Sequence, residues 1–263
     1  MLPDEALMTG QSKTQKRGRN LLYNALVLRV RAFGESNREA VFLTAEEGLI
    51  RAAVFGGPKS HLRAQIAPFH SGKLWIYYDP VRDSRKVNDF DVSFYRMGIR
   101  TSLERVMAAD AIAETILFSQ GGGSAWQDAI KLTEGVLDFL DNADPTACTR
   151  ITIYFLWHWA KFLGSGPEIE LSCACEPKQD GIIWYSEKKE GFYCEKCKEN
   201  PGMGQSFPVG PGAVAWLKRI ESLFPTDLAR VTLDTPSLNQ AKALSLAIMA
   251  GALGRRLSTW EGI

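Results

Sequence analysis

Four cysteines fall within 25 residues, Cys173, Cys175, Cys194 and Cys197, reading Cys-Ala-Cys, an excursion of 18 residues, then Cys-Glu-Lys-Cys. Two close thiol pairs joined by a short excursion are the usual layout of a tetrahedral sulfur site. Four thiolates fill every coordination position, so Zn2+ held this way would stabilise the fold and would not activate a water. Competing chemistries fit less well. Disulfides require an oxidising compartment, and the amino terminus lacks the apolar run of a secretory signal. A redox Cys-Glu-Lys-Cys belongs where a strand meets a helix in a βαβ unit, and no such pattern surrounds this one. A thiol-disulfide oxidoreductase is therefore the weaker alternative. The three histidines, His61, His70 and His158, stand in no recognisable motif with a nucleophile, so no enzymatic turnover is expected. His158, between Trp157 and Trp159, reads as a hydrogen-bonded core residue.

The segment that must position the thiols reads as a hairpin. Gly181-Ile-Ile-Trp-Tyr185 is β-prone, Glu187-Lys-Lys-Glu-Gly191 is a charged turn, and Phe192-Tyr193 returns into the second pair. This predicts a zinc-ribbon-like knuckle over residues 171–200.

The whole chain has 263 residues, 45% hydrophobic and 23% charged, which is enough for two small domains or one large one. No apolar run reaches the ~20 residues of a membrane helix, and a reducing, cytoplasmic setting is the simplest expectation. The net charge of +1 conceals an asymmetry: residues 1–100 carry 16 Lys/Arg against 10 Asp/Glu, and residues 101–263 carry 15 against 20. The first part is thus suited to a polyanion.

Residues 1–20 lack apolar periodicity and read as a basic, flexible extension with Lys13, Lys16, Arg17 and Arg19. Residues 21–100 hold five short β-prone runs, Leu21–Arg31, Glu39–Thr44, Leu49–Phe55, Lys73–Tyr78 and Asp89–Met97, with room for a short helix at 60–65. That is the complement of an OB-fold barrel, although an SH3-like barrel has the same strand count. Arg29, Arg31, Arg38, Lys59 and Arg63, with Phe33, Trp75, Tyr77 and Tyr78 interleaved, would suit a groove that follows phosphates and stacks bases. Gly56-Gly57-Pro58-Lys59-Ser60 lacks the spacing of a nucleotide-hydrolysing phosphate loop. Residues 101–263 turn helical: Leu103 to Leu117 closed by three glycines, Trp126 to Leu140, an apolar helix opened by Asp144-Pro145, and two more at Ala213–Leu223 and Ser237–Arg256. Between knuckle and last helices, Gly202-Met-Gly204 and Pro208-Val-Gly-Pro211 predict a linker. The fold class is α+β, an N-terminal five-stranded OB-fold barrel followed by an α-helical domain with an inserted four-cysteine, zinc-ribbon-like knuckle.

This order of parts resembles the bacterial RecO family of recombination mediators across residues 21–263. The resemblance rests on Ala25-Leu-Val-Leu-Arg-Val-Arg-Ala-Phe-Gly34-Glu35-Ser-Asn-Arg38, Phe42-Leu-Thr44, Gly56-Gly-Pro-Lys59-Ser60, Gly164-Ser-Gly-Pro167 and Leu253-Gly-Arg-Arg256. The family's metal-binding members carry two Cys-x-x-Cys pairs, where this chain has Cys173-Ala-Cys175 first. The resemblance implies a DNA repair and recombination protein of the nucleoid that binds single- and double-stranded DNA and anneals complementary strands. It further implies work with RecR to load RecA, and binding of the acidic tail of single-strand-binding protein through the helical domain. On it, the four cysteines are assigned to metal, and Arg29, Arg31, Arg38, Lys59 and Arg63 to DNA. An OB-plus-ribbon protein acting on RNA or in transcription is the physical alternative.

Overall fold

The structure, a computed structural model, describes residues 19–57, 59–123, 125–174 and 181–262. Lys13, Lys16 and Arg17 of the basic extension, Pro58 and Cys175 lie outside the described residues.

Five strands close into a barrel: β1 (Asn20–Phe33), β2 (Asn37–Thr44), β3 (Gly48–Val54), β4 (Ser71–Asp79) and β5 (Ser84–Phe94). The order around it is β1-β2-β3-β5-β4, antiparallel except where β3 meets β5 in parallel at Ala53 and Lys86. This ordering is that of an OB barrel and separates it from the SH3-like alternative. Strand β5 begins earlier than the sequence suggests, because the polar Ser84-Arg85-Lys86 pairs tightly with β4, and Met97 lies beyond it in a 3-10 turn, Met97–Thr101. The barrel interior is filled by alternate residues of every strand, among them Tyr23, Val27, Phe42, Ile50, Leu74 and Phe90. Phe42 and Phe90 meet edge to face at 6.1 Å. A short helix, α1 (Leu62–Gln65), lies against one end, with Leu62 and then Ile66 entering the interior.

Strand β1 is apolar on both faces at its centre, and a bulge explains how it serves two neighbours. Tyr23, Ala25 and Val27 point into the barrel, but the register shifts between Val27 and Arg29, after which Val30 packs inward. One extra residue in a strand reverses its facing pattern. Arg29 and Arg31 consequently stand outside, where strict alternation would have buried them.

The chain leaves the barrel at Arg96, held in the left-handed region at φ 45 and almost fully buried. Its guanidinium donates to Asp138 at 2.6 Å, to the Phe69 carbonyl at 2.8 Å and to Ser71 at 3.0 Å, which locks the barrel's end to the next domain. There α2 (Leu103–Phe118) is capped by Ser102, and α3 (Trp126–Asn142) follows the glycine run. A 3-10 turn capped by Asp144 leads into α4 (Cys148–Phe162), buried nearly all round as its composition requires.

After α4 come β6 (Ile183–Ser186), β7 (Gly191–Tyr193), α5 (Glu195–Lys198) and β8 (Ser206–Val209), then α6 (Pro211–Ile220) and α7 (Thr235–Leu253). The linker expected near Pro208 is in part this third strand, since Ser206–Val209 pairs with β6 on the side away from β7. Its proline misleads the sequence reading, but proline is tolerated on an edge strand, and Val209 is fully buried. Helix α7 is capped by Asp234 and begins at Thr235, two residues before the expected Ser237. One continuous core joins the outer wall of the barrel (Leu26, Leu43), the helices (Ile112, Trp159, Leu244) and the ribbon (Phe192, Val209).

Candidate nucleic-acid interface and cysteine cluster

Two loops bring the cysteines together. Ser172 donates its backbone N–H to the Phe192 carbonyl at 2.7 Å, and Leu171 bridges Phe192 in parallel, so Cys173 is delivered beside β7. Cys194 occupies the N-cap of α5, and Cys197 sits one turn on, its N–H donating to the Cys194 carbonyl at 3.1 Å. The ligand atoms of Cys173, Cys194 and Cys197 all lie within 4.8 Å of one another. Thiolates bound to one zinc at ~2.3 Å stand about 3.8 Å apart, so this donor set fits a tetrahedral metal and could hold one. Cys175, the fourth expected ligand, lies outside the described residues. Beside the cluster, the Lys198 ammonium lies 3.5 Å above the Trp184 ring, a cation–π contact that ties α5 to the ribbon sheet.

The five basic residues singled out in the barrel fall into two places. Arg31, Arg38 and Arg63 line a cleft of about 440 Å³ at the barrel rim, with the β1–β2 turn on its other side. Arg31 enters from the outer face, whereas Arg38 pairs with Val54 and reaches inward over the mouth, donating to the Arg63 carbonyl at 3.3 Å. Lys59 stands exposed in the turn leading to α1. The cleft is not purely cationic, since Glu35 lines it and Glu39 holds the Arg31 guanidinium at 2.5 Å. Across the sheet, Arg31, Glu39, Ala53 and Lys86 form one row on the outside of the barrel, and Lys86 lies over the exposed Phe55 at 5.4 Å.

Arg29 is elsewhere. It faces Val41 on β2, and Arg51 of β3 faces the same Val41 from the other side, so the two arginines flank one position on the outer sheet. They overlook a groove of about 540 Å³ between the barrel and the loop joining α2 to α3. Arg51 carries no signal in the sequence beyond a cation within an apolar strand; only the pairing with β2 sets it beside Arg29. Arg85 is engaged at the barrel's flank, donating to Glu47 at 3.0 Å and lying 5.1 Å over Tyr78. The same Glu47 accepts from the Tyr23 hydroxyl, and burial together with that carboxylate pushes the phenol up to about 12. Among the other expected aromatics, Phe33 is exposed while Trp75, Tyr77 and Tyr78 are half-buried.

The histidines are integrated into packing. His70 is buried, its Nδ1 2.8 Å from the Gln65 carbonyl. His158 has Nε2 3.1 Å from the Ile220 carbonyl and its ring 4.3 Å from that of Tyr154. Burial, helped by the Lys161 ammonium and opposed by the Ile220 hydrogen bond, holds His158 below the ordinary histidine range. Cys148, far from the cluster in sequence, is buried in the shared core and its thiol is pushed up to about 11 by desolvation. No helix among the described residues is long and apolar enough to cross a membrane.

Comparison with known proteins adds an independent observation. The family model for the N-terminal part of recombination protein O matches residues 19–93, and that for its C-terminal part matches residues 100–261. The chain is similar to the DNA repair protein RecO of Anaeromyxobacter sp. (strain K), 25% identical over 236 residues that cover 89% of this chain and 91% of that protein. It is also similar to the DNA repair protein RecO of Heliobacterium modesticaldum, 28% identical over 233 residues covering 84% and 80% respectively. With both halves matched in the order of the barrel and the helical body, the chain belongs to the RecO family.

Proposed function

We propose that this protein serves DNA repair and recombination as a mediator that binds single- and double-stranded DNA and anneals complementary strands. In this reading it also acts with RecR to help load RecA onto DNA coated with single-strand-binding protein. The observation that carries it is the closed OB barrel, with Arg31, Arg38 and Arg63 gathered at its rim and Lys59 exposed in the turn before α1. OB barrels bind strands across this face and the β1–β2 loop. Arg29 belongs to the same function from its place nearer the helical body. Annealing requires no catalytic group: neutralised phosphates and unstacked bases are enough to speed pairing, with affinity falling as salt rises.

Under this reading residues 21–100 are the DNA-binding domain and residues 101–263 the partner-binding one, with the acidic tail of single-strand-binding protein as its ligand. Residues 1–20 add cationic charge, and the protein works in the cytoplasm at the nucleoid. Cys173, Cys194 and Cys197, with Cys175 completing the set, hold a structural Zn2+ that fixes the knuckle at residues 171–200.

The test is annealing of two complementary labelled oligonucleotides by the purified protein, without nucleotide, at two salt concentrations. Acceleration that weakens with salt supports the mediator reading. Absence of both acceleration and single-strand binding overturns it, and a marked preference for RNA would move the assignment to the RNA-binding class.

A further inference from the structure

The groove between the barrel and the α2–α3 loop combines features that the rim cleft lacks. Arg29 and Arg51 both project from the outer sheet face and are exposed, and neither is ion-paired among the described residues. Arg31 at the rim, by contrast, is held by Glu39, and Arg85 by Glu47. Glu47 borders the same groove, but it already accepts from Tyr23 and Arg85, so its charge is offset.

The opposite wall supplies aromatic surface. Phe118, at the end of α2, is 43% exposed although large and apolar, and the Arg255 guanidinium, which does not line the groove, lies 4.6 Å from its ring centre. Trp126 also lines the groove, and its indole is seated on Gly48, where an added Cβ would come within 2.6 Å of the ring. Gln120, between the two aromatics in sequence, is exposed and held at φ 53, which a non-glycine residue seldom adopts. Its amide offers a donor and an acceptor to the groove. Unpaired arginines opposite an exposed phenylalanine and a half-buried tryptophan are the chemistry that recognises a single nucleic-acid strand, phosphates to the cations and a base to the aromatics.

We propose that this groove binds one unstacked base of a single strand, Phe118 and Trp126 offering ring faces and Arg29 and Arg51 taking the adjoining phosphates. The proposal rests on the nucleic-acid reading above and makes the barrel–helix junction a second contact point, separate from the rim. Because a paired base cannot enter, the groove selects single-stranded over double-stranded DNA.

The test measures binding of the full chain to an oligothymidine, to the same strand with abasic sites, and to a duplex, across a salt series. Phe118→Ala, an exposed position, should weaken oligothymidine binding roughly tenfold while leaving abasic-strand and duplex binding near wild type. Arg29→Ala with Arg51→Ala should reduce the slope of log affinity against log salt by about 1.4 on single strands, at about 0.7 per phosphate. If both variants bind oligothymidine like wild type while an Arg31→Ala/Arg38→Ala/Arg63→Ala protein does not, the groove is no binding site and the rim reading stands. If wild type binds no single strand, both readings fall. Equal loss on oligothymidine and abasic strands for Phe118→Ala would overturn the base-stacking part.

Discussion

The barrel and the cysteine ribbon are both small β structures, yet they are held by different means. The barrel closes on itself and fills its interior with large side chains such as Phe42, Phe90, Leu74 and Ile76, all fully buried. The ribbon has three strands of three or four residues, and the buried apolar residues of those strands are Tyr185, Phe192 and Val209, with Ile183 and Phe207 partly buried against the same core. A sheet that short cannot shield both faces, so its far side depends on the gathered thiols and on Lys198 over Trp184. The difference teaches where gathered thiols able to hold a metal contribute most to a fold: at the end that packing leaves unsupported.

The largest expected effect tests that contrast. Replacing Cys194 and Cys197 together by Ser, or stripping metal with a chelator, should expose the segment from Leu171 to Val209 to protease while the barrel keeps its amide protection. Structural zinc in small peptides accounts for about 10 kcal/mol or more of binding free energy, so loss of local order and not a slight softening is anticipated. Unchanged proteolysis and melting would break the comparison.

Next in size are the two cores. Phe42→Ala inside the barrel and Trp159→Ala in the shared core each remove a fully buried aromatic and should cost roughly 3–5 kcal/mol in urea denaturation. Hydrogen exchange should separate them, with Phe42→Ala loosening β1 to β5 and Trp159→Ala, whose indole donates to Ser119 at 2.8 Å, loosening the helices first. Identical exchange maps would mean that barrel and helices unfold as one unit.

The smallest effect concerns pH. His158 is kept neutral in the fold, with its pKa below the ordinary 6.5, so the unfolded chain takes up this proton first as pH falls. Stability is therefore full above that value and declines as pH drops from about 6.5 towards the folded pKa. His70 is depressed in the same direction, chiefly by burial, and adds to the slope. His158→Gln should flatten, without abolishing, the fall in Tm between pH 7 and 5.5. A steeper fall in the variant would contradict the assignment.

Much of this architecture was legible without coordinates. The five β-prone runs, the change to helical period after Arg100, the Asp144-Pro145 signal of the 3-10 turn just ahead of α4 and the paired cysteines are local signals, and local signals survive in sequence because propensity, capping and ligand spacing act over a few residues. The resemblance to the family also lay in contiguous stretches. The strand near Pro208 was not legible, because Gly and Pro advertise a loop and only its partner β6 makes it a strand. Arg96 was equally silent, since its value lies in reaching Asp138, Phe69 and Ser71 at once.

The amino-acid order by itself determined the elements, their sequence along the chain, the pairing of cysteines at close spacing and the excess of cationic charge in the first hundred residues. The tertiary structure alone decided which cations stand near one another. The bulge in β1 turned Arg29 and Arg31 outward, and the pairing of β1 and β3 with Val41 set Arg29 beside Arg51, residues 22 apart in the chain. Facing in a strand depends on register, register depends on the neighbouring strand, and that relation is not written in either strand alone.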